Sequence, residues 1–144
     1  MTSEALQAGP LGDGASAAAL DSHYSDGYVV DDLIFVSGQL PVDGEMRLVG
    51  GDDVNAQAAQ VFENIAAVLR QAGASLRDVV SVVVYVTDIT DVARIAPARR
   101  AAFGSHKPSS TAVEISALMT PGAKLEVSAV ARRGLSGLEG MDAA

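Results

Sequence analysis

Apolar residues recur at steps of four, three, four, three and four through Val54, Ala58, Val61, Ile65, Val68 and Ala72, a spacing that predicts a helix with one buried stripe. Asp52 or Asp53 stands at its N-cap position, and Gly73 follows as a stop. Two shorter β-rich runs precede it, Tyr28 to Val30 and Leu33 to Leu40. Asp31-Asp32 separates them, and Pro41 closes the second ahead of Asp43-Gly44, so together they predict a hairpin. After the helix, Val79 to Val86 (VVSVVVYV) is apolar on both faces apart from Ser81, the pattern of a central strand covered by helices or by another subunit. Asp91 opens a second helical segment to Phe103, which Pro97 either kinks or enters as a first-turn proline, and Gly104 ends it. Two more strands, Thr111 to Leu118 and Leu125 to Ala131, flank Met119-Thr120-Pro121-Gly122.

The resulting order, ββαβαββ, predicts a single α+β domain with two helices on one face of a mixed sheet. No further helix is available for the opposite face, which predicts association between subunits. Residues 1–21 and 134–144 are rich in Gly, Ala and Ser without a period, so both are expected to be flexible tails around a domain of residues 22–133.

Composition narrows the function. At 144 residues the chain suits one core. Lys and Arg total 10 against 18 Asp and Glu, a formal charge of −8, which disfavours a grip on phosphate backbones. Five of the acids (Glu4, Asp13, Asp21, Glu139 and Asp142) lie in the two ends, which carry no Lys or Arg, so the middle holds only 10 − 13 = −3. With no cysteine there is no disulfide, thiolate nucleophile or cysteine-bound metal. Aromatics at 4% and the absence of Trp leave no stacking platform for bases. The start lacks a basic segment followed by an apolar run, and no stretch approaches the roughly 20 apolar residues of a membrane span, so a cytoplasmic protein is expected.

Several motifs are set aside. Gly12-Asp13-Gly14-Ala15-Ser16-Ala17 has the outline of a nucleotide-binding turn, but no strand is predicted before it. Gly134-Leu135-Ser136-Gly137 would need glycine where Leu138 stands to be a nucleophile elbow. His23 and His106 have no partner at helical metal spacing, and His106 is expected beside a surface loop. Asp88 and Asp91 sit where a strand hands over to a helix, the place of capping carboxylates. Arg99-Arg100 fits a solvated helix face or an interface ion pair better than an anion site.

Over residues 23–133 the chain resembles the Rid/YjgF family, the reactive-intermediate deaminases also called endoribonuclease L-PSP-like proteins. The resemblance rests on Leu33-Ile34-Phe35-Val36-Ser37-Gly38-Gln39-Leu40-Pro41, on Gln57 to Asn64 leading to Leu69 and Ala72-Gly73-Ala74-Ser75-Leu76, on Asp78-Val79-Val80 through Tyr85-Val86-Thr87-Asp88, and on Lys107-Pro108 through Val113-Glu114-Ile115. It implies a chorismate-mutase-like homotrimer whose sheets face the trimer axis and whose active sites lie in clefts between subunits. It also implies hydrolysis of a small enamine or imine to a carbonyl compound and ammonia, with no cofactor and no metal.

Carried over by position, the resemblance makes Glu126 the carboxylate that orients or activates water, with Tyr24 and Ser37 as its hydrogen-bonding companions. Ser37, thirteen residues after Tyr24, opens Ser37-Gly38-Gln39, and Gly38, Ser109, Ser110 and His23 are expected to line the substrate. A carboxylate in a partly buried cleft has the raised pKa that such a proton shuttle needs. Ser110 stands where the deaminase branch has the arginine that binds the substrate carboxylate. A hydroxyl cannot supply a bidentate charged pair, so the substrate is expected not to be a simple 2-imino acid. Arg94 is a candidate replacement, and His23, beside Tyr24, a candidate proton carrier. The competing reading is a trimer that binds a small ligand without catalysis. Ribonuclease activity sits badly with the acidic charge.

Overall fold

The computed structural model describes residues 8–12 and 23–139. Its strands are β1 (Ala8–Leu11), β2 (Gly27–Val30), β3 (Leu33–Gln39), β4 (Val79–Val86), β5 (Ser109–Glu114) and β6 (Leu125–Arg132). The helices are α1 (Val54–Gln71), α2 (Asp91–Arg94), α3 (Ala96–Phe103) and α4 (Leu135–Glu139), with a 3₁₀ turn at Leu76–Asp78. One mixed sheet runs in the order β1-β2-β3-β6-β4-β5, antiparallel throughout except for the parallel pair β4–β5. From β2 to β6 this is the expected α+β arrangement.

α1 forms for the reasons its pattern states. Asp53 is the N-cap, its carboxylate accepting from the backbone N–H of Asn55 at 2.9 Å and Ala56 at 3.2 Å, and the six apolar positions at alternating steps are all buried. Past the helix, Gly73 takes φ 72°, where a side chain would be strained. The stripe meets Val79, Val82, Val84 and Val86 of β4 and Leu125, Val127, Ala129 and Ala131 of β6 in one core, which Phe103 of α3 joins through an edge-on contact with Phe62, ring centroids 5.4 Å apart.

Four expectations change in detail. The N-terminal segment is not wholly a tail: Ala8–Leu11 pairs with β2, and Leu11 enters the core against Gly27, where an added Cβ would lie 3.3 Å from its Cδ1. Four residues containing Gly and Pro carry too little pattern to announce a strand. At the other end Leu135–Glu139 is helical, with the Leu135 N–H bonded to the Asp78 carboxylate at 3.1 Å. β5 begins two residues before the expected Thr111 and stops at Glu114, because its only partner, β4, ends at Val86, the residue opposite Glu114. The segment from Asp91 to Phe103 is two helices that meet at Ile95, with Pro97 in the first turn of α3, where its missing N–H costs nothing.

Among the described residues, the opposite face of the sheet carries no helix. Cross-strand pairing lays Tyr28, Phe35, Val130, Ser81 and Ser109 in one row across it, and Glu126, Tyr85 and Val113 in another. Tyr28 and Phe35 are 48% and 45% exposed, although both sit in regular strands where such residues are ordinarily covered. Among the described residues no helix is long and apolar enough to cross a membrane.

Candidate active site

The site starts from an irregularity in β3. Val36 is opposite Ala129 and Gln39 opposite Val127, so three steps on β3 match two on β6, and the extra residue forms a bulge at Ser37-Gly38. The bulge is pinned from both sides. The Ser37 N–H donates to the Asp26 carbonyl at 2.8 Å, and the Ser37 hydroxyl donates to the Ser25 carbonyl at 2.7 Å, which ties the segment carrying His23 and Tyr24 to β3. Gln39, itself buried, donates from its amide to the Ser37 carbonyl at 3.0 Å.

Gly38 then has a specific task. A Cβ at that position would fall 1.8 Å from Glu126 Oε1 and 2.7 Å from its Cδ, so the carboxylate of Glu126 lies in the space that a side chain on residue 38 would fill. Glu126 is half-buried on the helix-free face beside Tyr85, and burial pushes its carboxyl above the ordinary carboxylate range. Among the described residues no hydrogen bond to that carboxylate competes with a bound water or substrate.

His23, Tyr24 and Ser37 line a single open groove of about 420 Å³ together with the rings of Tyr28 and Phe35, and none of its lining residues is Lys or Arg. Of the expected site residues, the fold therefore brings Tyr24, Ser37, Gly38, Glu126 and His23 to one end of β3 and β6. It does not bring Ser109 and Ser110 there. Ser109 lies in the same row as Phe35 but three strands further on, about 14 Å away at the usual strand spacing. Ser110 is paired with the buried Val82 and so points to the helix side of β5. Within one protomer these two serines form no site with Glu126.

The remaining candidates have structural partners. His106 Nε2 lies 2.6 Å from the Val79 carbonyl, to which the ring must donate, so it anchors the loop before β5. Asp88 accepts from the Thr90 hydroxyl at 2.6 Å and the Thr90 N–H at 2.9 Å, and these two bonds hold its carboxyl below the ordinary range. Asp91 takes Arg94 Nη1 at 2.9 Å, and Arg94 also donates to Thr90 Oγ1 at 2.8 Å, so this arginine is engaged on its own helix. Gly12 is the one residue of the N-terminal glycine motif within the described residues. Among those residues no three imidazole or carboxylate groups converge as metal ligands would.

One supporting residue had no role assigned from sequence. Gln57, fully buried on the apolar stripe of α1, donates from Nε2 to the carbonyls of Gly51 at 2.7 Å and Gly122 at 3.0 Å, and its Oε1 accepts from the N–H of Lys124 at 2.8 Å. It thereby holds the entry to β6 two residues ahead of Glu126. A glutamine among the valines of a core stripe was the available signal, since a buried amide must find partners.

Comparison with known proteins identifies the family. The family model described as Endoribonuclease L-PSP matches residues 15–133. A RutC family protein of Pyrococcus abyssi is 44% identical over 95 residues, spanning 66% of this chain and 75% of its own length. A 2-iminobutanoate/2-iminopropanoate deaminase of Salmonella typhimurium is 34% identical over 121 residues, 82% of this chain and 93% of its own. The crystal structure of Rv2704 from Mycobacterium tuberculosis, described as a member of the YjgF/YER057c/UK114 family, superposes with a TM-score of 0.72 at 32% identity, covering 87% of this chain and 98% of that one. By the family model over residues 15–133 and by these relatives, the chain belongs to the Rid/YjgF family.

Proposed function

We propose that this protein hydrolyses a small reactive imine or enamine to a carbonyl compound and ammonia. The observation that carries the proposal is the desolvated Glu126 carboxylate lodged over Gly38 beside the Ser37 bulge. Some relatives are named 2-iminobutanoate/2-iminopropanoate deaminases, which supports imine hydrolysis in the same family.

The reaction needs little beyond water and proton transfer. A protonated C=N carbon is electrophilic; water oxygen bonds to it as the π pair moves to nitrogen, and Glu126 takes the proton that water loses. Protonated Glu126 then gives that proton to the amine nitrogen of the carbinolamine, and the restored carboxylate takes the hydroxyl proton as the C–N bond breaks, the carbonyl forms and ammonia leaves. A carboxyl whose pKa burial raises is a stronger proton acceptor than an exposed carboxylate. Because the Ser37 proton is engaged by the Ser25 carbonyl, its hydroxyl oxygen is left to accept from an iminium N–H, and Tyr24 lines the same groove.

The substrate is proposed to lack a 2-carboxylate. No Lys or Arg lines the groove, and Ser110 offers no bidentate charge. The helix-free sheet face is proposed to be the contact of a homotrimer, which would bring Ser109 of one copy, on that face opposite Ser81, toward the groove of the next.

The test is ammonia release from two imines generated in situ, one with and one without a 2-carboxylate, for the wild type, Glu126→Ala and buffer. The expected result is acceleration of the carboxylate-free imine that falls about 100-fold or more in Glu126→Ala. Ligand-induced stabilisation with no turnover of either imine would instead identify a non-catalytic binding trimer.

A further inference from the structure

We propose that the groove beside the C-terminal end of α3 is a second binding site, which takes an organic anion with an apolar body, such as an aryl or short acyl carboxylate or phosphate. It is lined by Arg99, Arg100 and the largely buried Phe103 of α3 and by His106, Lys107 and Pro108 of the following loop, with a volume of about 390 Å³. That volume falls in the range of small-molecule pockets, about 300–1,000 Å³.

Charge distribution supports an anion. The chain is acidic overall at −8, yet residues 92–113 contain no Asp or Glu and carry four of its ten cations, Arg94, Arg99, Arg100 and Lys107. Arg47, Arg70, Arg94, Arg132 and Arg133 each face a carboxylate, whereas among the described residues no carboxylate pairs with Arg99, Arg100 or Lys107, nor with Arg77 or Lys124. Three like charges around one small groove repel one another, and an anion between them removes that cost. Guanidinium groups match a carboxylate or phosphate in a fork geometry.

The plain alternative is a solvated face on which the arginines offset the helix dipole, since Arg100 lies in the last turn of α3. That account does not cover Lys107, four residues beyond Phe103, or the apolar Ala96, Phe103 and Pro108 in the same lining. Apolar and cationic side chains in one groove favour an organic ligand over a hydrated inorganic ion. Within one protomer the groove is also separate from the proposed active site. Pro108 leads into Ser109, opposite Ser81, whereas Glu126 is opposite Tyr85, four residues or about 13 Å further along β4.

Calorimetric titration of the full chain with benzoate, phenyl phosphate, inorganic phosphate and a single-stranded oligonucleotide tests this. The expected result is saturable binding of benzoate or phenyl phosphate at one per chain, weakened about tenfold or more by Arg99→Gln/Arg100→Gln and by Lys107→Gln, while Glu126→Gln binds as the wild type does. The better of the two organic probes identifies the head group, and inorganic phosphate alone should bind at least about tenfold more weakly. Thermal unfolding of the exposed-site variants should match the wild type, so lost binding would not reflect lost folding. Absence of binding to the wild type, unchanged binding in the double variant or loss in Glu126→Gln would overturn the proposal. So would preference for the oligonucleotide, which would assign the cations to nucleic acid.

Discussion

The two faces of the sheet are made of alternate residues of the same strands, yet they are built to different ends. Toward the helices, β4 and β6 present Val79, Val82, Val84, Val86, Leu125, Val127, Ala129 and Ala131, all buried, small to medium in size and without a polar atom beyond the backbone. Toward the open side the same strands present Ser81, Tyr85, Glu126, Ser128 and Val130, beside Phe35 and Tyr28 of the neighbouring strands. The first face can only contribute burial. The second mixes exposed rings with hydroxyls and a desolvated carboxylate, a composition that suits a surface where chemistry and contact with another copy meet.

Three substitutions would sharpen or break that contrast. The largest effect belongs to the covered face: Ile65→Ala, at a fully buried position, should cost about 2–5 kcal/mol in urea unfolding, and a cost below 1 kcal/mol would mean that the helix layer is not the main source of stability. Phe35→Glu tests the open face. Its effect on the stability of an isolated protomer should be within about 1 kcal/mol, whereas sedimentation should show the assembled species replaced by protomer; unchanged mass would remove the proposed contact.

The smallest effect concerns Glu126. Its folded-state pKa is raised by burial, so its protonated form is favoured by folding. The associated stability is present below the usual 4.5 and declines as pH rises through the higher folded value. Glu126→Gln should therefore raise Tm slightly at neutral pH, with the difference shrinking to zero in more acid solution. A lower Tm at pH 7 would mean that the carboxylate is stabilised by a partner instead.

Much of this was legible before the fold was known. The alternating four and three steps of α1 required a buried stripe, and Asp53 and Gly73 bounded it, because helix caps and periodicity are local properties of the chain. The hairpin of β2 and β3 and the apolar β4 were equally local. The ends of β5 were not, since a strand extends only as far as its neighbour and β4 stops at Val86. Nor was β1, where four residues gain their conformation from pairing with β2 and from Leu11 entering the core.

The candidate site divides in the same way. Tyr24, Ser37, Gly38, Glu126 and His23 were identifiable as residue types in a pattern, but their meeting depends on a bulge that no periodicity announces. The reason for glycine at 38 appears only when β6 brings Glu126 across from nearly ninety positions away. Gln57 illustrates the converse, a polar residue whose place in the stripe was visible and whose three partners, two of them more than sixty residues distant, were not. Sequence alone determined the elements, the amphipathic faces and the chemical inventory, because these follow from neighbours along the chain. Register, strand ends and the lodging of a carboxylate over a glycine were decided by tertiary structure, because each depends on contacts between segments whose separation in sequence carries no local signal.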